Sequence, residues 1–244
     1  MQTEGKMLHR GLSNPLAAVD VVNQLAAVCE KYNAHLSFSN DLEKFYSVRK
    51  HVRGGSPSPM FDFNVTELEG KSFWICLRDS DETVIGLQAC RLDVVDTSLA
   101  EWAVGWMSGL YMKRDQLMVP AQLKPYPESR SFQLRGDIVY HGELWLANPA
   151  RRQPGLADAF CFMGMVASHL KWQPDAIWAL VSNTMATRGM ATRFGYLRQE
   201  RSFLNWKISP EDVPTNEWLL LLEKNDMEHL IEERSNMGPM TTEA

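Results

Sequence analysis

The chain has 244 residues, 45% of them hydrophobic and 23% charged, which is globular composition with enough apolar material for one sizeable core. A formal net charge of -5 without any long Lys/Arg run argues against an extended nucleic-acid surface, and four widely spaced cysteines (Cys29, Cys76, Cys90, Cys161) form no C-x-x-C pair for zinc or a disulfide framework. The first residues to Leu12 are polar and no apolar run reaches the about 18 residues of a membrane span, so the expectation is a soluble, cytoplasmic protein with buried free thiols.

In chain order, Asn14 to Tyr32 spaces Leu16, Val19, Val22, Leu25, Ala26 and Cys29 at three and four residues, the period of an amphipathic helix. A second helix is expected at once, capped by Asn40 with Glu43 completing a capping box, and running to about His51. Gly54, Gly55, Pro57 and Pro59 then mark a loop without a core signal. Phe73–Leu77 and Val84–Leu92 flank Asp79-Ser80-Asp81-Glu82 and predict a β-hairpin. Ser98 and Glu101 open another helix, whose stripe of Leu99, Trp102, Trp106, Leu110 and Tyr111 continues towards Arg114. Its aromatics are either core or the lining of an acyl or aromatic-acceptor pocket. Proline-rich Val119–Arg135 reads as a long surface loop.

The second half alternates: strand Asp137–Leu146, helix Leu156–Leu170, strand Ala176–Val181, helix Thr184–Arg193, strand Phe203–Ile208. Such alternation predicts an α/β layered fold. A last helix is expected over Asn216–Arg234, followed by a disordered tail from residue 235. On the strand Asp137–Leu146, period-two alternation puts Ile138, Tyr140, Leu144 and Leu146 on one face and Asp137, His141, Glu143 and Trp145 on the other. His141 and Glu143 are then either a surface or structural pair, or the proton acceptors of a site, with Glu143 the first candidate for general base.

Between Leu146 and Leu156 runs Asn148-Pro149-Ala150-Arg151-Arg152-Gln153-Pro154-Gly155. A glycine-containing entry into a helix leaves amides without partners at the positive end of the dipole, a natural phosphate site, and Arg151 or Arg152 can add a guanidinium. The plain alternative is a tight turn shaped by Pro149 and Gly155 with solvated arginines. Arg152-x-x-Gly155-x-Ala157 after a strand, and then Asn183, Ala186 and Phe194-Gly195-Tyr196, resemble the acyl-CoA loop and the N-x-x-A-helix-G-F/Y signature of the GNAT acyltransferase superfamily, over roughly Phe73 to Ile208.

That resemblance implies a mixed, mainly antiparallel sheet with helices on both sides in one domain of 244 residues. An N-terminal helical segment to residue 52 and a helical insert over 97–135 extend the shared core. It implies acetyl-CoA or another acyl-CoA as cosubstrate, held by Leu146, Ala147, Arg151, Arg152, Gln153, Pro154, Gly155, Leu156 and Ala157. Asn183 would face the pantetheine arm or order its strand end. The implied reaction is direct N-acyl transfer to a small-molecule amine, without a metal, a nucleic acid or a membrane. A longer acyl chain on CoA or acyl carrier protein, and a catalytically silent acyl-CoA-binding or protein-interaction module, are the alternatives. Where family members carry an acidic tyrosine, this sequence has Met190 or Ala191. Assembly is open, with a homodimer among the options.

Overall fold

The computed structural model describes residues 12–120, 128–210 and 213–238. The expectations for the N-terminus to residue 11, for the middle of the proline-rich loop (121–127) and for the tail from residue 239 lie outside the described residues.

Helix α1 (Pro15–Glu30) starts where the Asn14 side chain accepts the Ala17 amide at 3.1 Å, and it buries Ala18, Val21, Leu25 and Cys29. A strand, β1 (His35–Ser39), then precedes α2 (Leu42–Arg53), so the second helix does not follow at once. Its cap is Asp41, accepting the Lys44 amide at 2.9 Å, rather than Asn40. The glycine and proline loop also departs from expectation: Pro59–Phe61 form a 3-10 turn, and Phe61 is fully buried between Phe45 and Tyr140.

The hairpin of β2 (Ser72–Arg78) and β3 (Val84–Val95) turns on Asp79, whose Oδ1 accepts the amides of Asp81 and Thr83. Ser98 caps α3 (Leu99–Met112) and donates to the Glu101 carboxylate at 2.8 Å. Trp102 and Trp106 stack at 4.7 Å and both meet Trp178, so they pack against the sheet as core, while Tyr111 reaches the site described below. Within the expected long loop lie a short strand, β4 (Val119–Pro120), and one helical turn, α4 (Arg130–Gln133).

The remaining elements are β5 (Gly136–Leu146), α5 (Asn148–Arg151), α6 (Leu156–Trp172), β6 (Ala176–Ser182), α7 (Asn183–Thr187), α8 (Met190–Phe194), β7 (Arg198–Ile208), β8 (Asn216–Glu223) and α9 (Lys224–Met237). Two expectations are corrected here. The helix over Thr184–Arg193 is broken at Gly189, whose φ of +73° starts α8 afresh. The expected terminal helix is a strand followed by a helix that continues to Met237. Leu219 and Leu221 face one apolar layer and Leu220 and Leu222 the other, and a strand buried on both faces shows a continuous apolar run instead of alternation.

The strands form one mixed sheet in the order β1-β2-β3-β5-β6-β8-β7-β4, with every pairing antiparallel except β5 with β6. Helices α1, α6 and α9 cover one face and α2 and α3 the other, giving an apolar layer on each side. The four cysteines are free and buried. Among the described residues no helix is long and apolar enough to cross a membrane.

Candidate active site

Strands β5 and β6 pair in parallel for three residues only, Ile138 with Ala176, Val139 with Ile177 and Tyr140 with Trp178. Beyond Tyr140 they part, and a cleft of about 810 Å³ opens between them. The parting has a local cause in β5. Ala89 of β3 pairs with Gly142 and Leu87 with Trp145, so three steps of β5 oppose two of β3, and Glu143 sits in the bulge at φ +55°. A Cβ on Gly142 would lie 2.8 Å from the Phe61 ring and 2.9 Å from Tyr140, so the bulge needs glycine there.

The bulge also changes the phase of the strand. Ile138, Tyr140 and Trp145 face the α2/α3 layer, whereas Val139, Leu144 and Leu146 face the α6 layer. The expected grouping of Leu144 and Leu146 with Ile138 and Tyr140 is therefore wrong, because strict alternation does not survive an extra residue. For the same reason His141 and Glu143 are not neighbours on one face.

His141 is buried in the α6 layer. Its Nε2 lies 2.8 Å from Gln88 Oε1 and its Nδ1 2.8 Å from the Tyr196 hydroxyl. Gln88 donates its amide nitrogen to the Phe160 carbonyl, so its Oε1 accepts from His141 Nε2–H. In the neutral imidazole Nδ1 is then an acceptor, and the one proton of Tyr196 is committed to it. Gly164 makes room for this chain, since a Cβ there would overlap the Gln88 amide. Burial pulls His141 down to about 4, so the ring is neutral at pH 7.

Glu143 is not an open carboxylate. Its Oε2 accepts from Arg49 Nε and Arg53 Nη1, each at 3.0 Å, its Oε1 accepts the Ser58 amide at 2.5 Å, and the side chain is 3% exposed. It ties α2 and the 54–59 loop to the bulge. Both of its oxygens are thereby committed to two guanidiniums and an amide.

At the C-terminal end of β5 the Ala147 amide donates to Ile85 and Arg151 Nε donates to the Leu146 carbonyl, so Leu146, Ala147 and Arg151 shape the turn. Gly155, at φ +75°, is the N-cap of the 17-residue α6, and no side chain caps the first turn. Tyr32 holds the turn from α1 by donating to the Pro154 carbonyl at 2.8 Å. Arg152 and Gln153 are exposed beside it, Leu156 is buried and Ala157 half-buried. Asp158, the acidic residue of the first turn, is paired with Arg193 at 3.1 Å. At the end of β6, Asn183 Oδ1 accepts from the Trp218 indole at 3.1 Å, which links α7 to β8. Ala191 is buried and Met190 begins α8, and neither carries an acidic proton.

Tyr111 and Tyr196, both singled out in the sequence, line the cleft, whereas Arg49 and Arg53 of α2 and Arg114 beyond the end of α3 line it from distant segments with no local signature. Arg114 is bound to the buried Asp62. Behind the wall on the α2/α3 side, Glu217 of β8 is buried and accepts the Trp206 indole proton at 3.1 Å.

The buried titratable groups give a measurable pH signature. His141 and His169 are both pulled down to about 4 by burial, so each contributes stability that is present above pH 6.5 and lost as pH falls towards 4, where only the unfolded chain is protonated. Glu217, raised to about 7 by burial, acts in the opposite sense: its contribution is present below 4.5 and lost as pH rises through 7. Replacing His141 with Gln should remove one proton's slope, about 1.4 kcal/mol per pH unit, between roughly pH 4.5 and 6.5. Urea titrations across that window read this directly, and an unchanged slope would mean that His141 is solvated.

No family model and no curated protein sequence matches this chain. Solved structures do align with it. Arabidopsis thaliana NAA60 in complex with a bisubstrate analogue aligns at 16% identity and TM-score 0.41, over 77% of this chain and 98% of that one. FdhC, a nucleotide-linked sugar GNAT, aligns at 9% identity and TM-score 0.44, over 84% and 94%. FeeM, an N-acyl amino acid synthase from uncultured soil microbes, aligns at 9% identity and TM-score 0.42, over 80% and 92%.

Proposed function

We propose that this chain is a GNAT-type acyltransferase that moves a short acyl group, acetyl in the first instance, from coenzyme A to a small-molecule amine. The observation that carries the reading is the parting of β5 and β6 beside the uncapped, glycine-led start of α6. Backbone beyond Tyr140 and Trp178 has no partner across the gap, so an extended amide-bearing arm can fill it as a strand would. The turn at Gly155 offers first-turn amides to a pyrophosphate, with Arg152 beside them. Arg151 acts by shaping the turn through Leu146.

The cosubstrate supplies an activated thioester. The Gly142–Glu143 bulge, where the register with β3 shifts, is suited to present a backbone amide to a carbonyl in the gap and polarise it. Tyr196 and His141 close the inner wall on the α6 side, which favours a short acyl group. The amine approaches from the α2/α3 side, past Tyr111, Tyr140 and the 54–59 loop. With no acid at Met190 or Ala191, the thiolate takes its proton from the transferred amine or from solvent.

A catalytically silent acyl-CoA-binding module is the second reading. It is favoured by the commitment of Glu143 to two arginines and of the Tyr196 proton to His141. Free-thiol release from acetyl-CoA, measured with amino acids, polyamines, aminoglycosides, arylalkylamines and short peptides, separates the two. Amine-dependent release above the hydrolytic background is expected. Tight CoA binding without release would leave the silent module.

A further inference from the structure

We propose that the acceptor amine is a free amino acid, its carboxylate taken by the hydroxyls of Tyr111 and Tyr140 and its ammonium by the side-chain carbonyl of Gln116. This deepens the acyl-transfer reading of the cleft and rests on it. All three residues line the gap between β5 and β6. Tyr111 and Tyr140 are only 4% and 6% exposed, yet among the described residues neither hydroxyl has a hydrogen-bond partner, and neither oxygen is fully enclosed. A phenol oxygen that is neither paired nor enclosed opens on the cleft its ring lines. Buried tyrosines ordinarily pair their hydroxyls, so two left open on one cavity mark a place for a ligand. Packing fixes both rings. Tyr140 stacks on Phe61 at 5.7 Å and meets Trp178 at 4.8 Å, and its hydroxyl-bearing carbon would lie 3.3 Å from a Cβ on Gly142, so the ring runs along β5 to the bulge. Tyr111, in the last turn of α3, is held edge-on by Trp206 at 6.3 Å. The chain then folds back on it: the Gln116 amide donates to the Tyr111 carbonyl at 3.3 Å, and Arg114 between them is bound to Asp62.

The chemistry of this wall selects the ligand. Burial raises both phenols, so they stay protonated and donate. A hydrogen bond to an ionised acceptor is about twice as strong as one to a neutral oxygen, so two such donors favour a carboxylate over a hydroxyl or an ester. Gln116 Oε1 is shielded from water and has no donor, a costly state that an ammonium N–H relieves once a half-turn of the amide brings the oxygen to the cleft. The charged residues lining the cleft, among those described, are Arg49, Arg53, Arg114 and Glu143, with Asp62 behind Arg114. Both oxygens of Glu143 are engaged by Arg49, Arg53 and the Ser58 amide, so this carboxylate has no oxygen left for the second ammonium that a polyamine would bring. An amine that carries its own carboxylate needs no such partner. It asks instead for donors, and the wall is rich in them.

The test compares thiol release from acetyl-CoA with the common amino acids one by one, with their methyl esters, and with polyamines and arylalkylamines. For the preferred amino acid, kcat/KM should exceed that of its ester by about 100-fold, although the ester's amine is the less basic and is neutral in larger share at pH 7. Tyr111→Phe and Tyr140→Phe should each narrow that preference by about tenfold, through the KM for the amino acid. Gln116→Met should instead raise the KM for amino acid and ester alike, because both bring the ammonium. The two phenylalanine variants should melt no lower than wild type, since each loses a hydroxyl that holds nothing within the protein; a fall of several degrees would reveal an internal bond and count against the site. An amino acid no better than its ester, or release with polyamines or arylalkylamines alone, would overturn the assignment and leave acyl transfer standing. If CoA binds and no amine releases thiol, the transfer reading fails, and thermal shifts with the same amino acids in the presence of CoA decide the site by themselves. A shift that is lost in the Tyr111→Phe/Tyr140→Phe double variant keeps it, and the absence of any shift overturns it.

Discussion

Glu143→Gln is expected to lower the stability of the fold by about 3 kcal/mol while leaving the pH dependence of turnover unchanged. The wild-type carboxylate is 3% exposed and answers two guanidiniums and a backbone amide. A glutamine retains one acceptor for Ser58, but turns an NH₂ group towards Arg49 and Arg53, so two cations lose their shared counter-charge. Breaking a buried pair costs about 3–5 kcal/mol, and the partial exposure of Arg53 puts this case at the lower end. For a chain of this size, that corresponds to roughly 6–12 °C in melting temperature. Loosening the 54–59 loop should raise the KM for the amine more than it lowers kcat. Thermal melts and a pH–rate profile together decide the matter. A variant that melts like wild type but loses its pH-dependent limb and about 100-fold in kcat would restore Glu143 as the proton acceptor.

Gly155→Glu is expected to abolish coenzyme A binding, with a loss of at least about 100-fold in affinity, because it places a carboxylate where a pyrophosphate would meet the α6 amides. The position is at φ +75°, so any side chain adds strain of about 1–2 kcal/mol. Gly155→Ala separates the two effects, since it carries the strain without the charge. It should show a similar fall in melting temperature and a far smaller loss of CoA affinity. Calorimetric titration with CoA reads both variants. Wild-type affinity in Gly155→Glu would move the cofactor away from this turn and remove the main support for the proposed activity.

Much of the fold was legible because its signals are local. The spacing of Val22, Leu25 and Cys29, the Ser98–Glu101 capping box, the Asp79 turn and the glycine at 155 are decided within a few residues and appear where the sequence placed them, although Leu16 and Val19 of the same expected stripe are exposed while Ala17, Ala18 and Val21 are buried. Elements that answer to distant partners were misread. The run Leu219–Leu222 looks like a helix until β6 and β7 are known to flank it. Strand β1 carries too few apolar residues to stand out, and it exists because the edge of β2 pairs with it.

The candidate site divides along the same line. The sequence by itself determined the helix entry at Gly155, the strands on either side of it and the presence of His141 and Glu143 on β5, since these follow from chain-neighbour chemistry and periodicity. Only the tertiary structure decided what those two side chains do. One additional residue at the Gly142–Glu143 bulge turns Glu143 towards α2 and leaves His141 under α6, and β-strand alternation alone has no means of recording such a shift. The same holds for β8, which is inserted between β6 and β7, a pairing set by burial on both sheet faces rather than by any local motif.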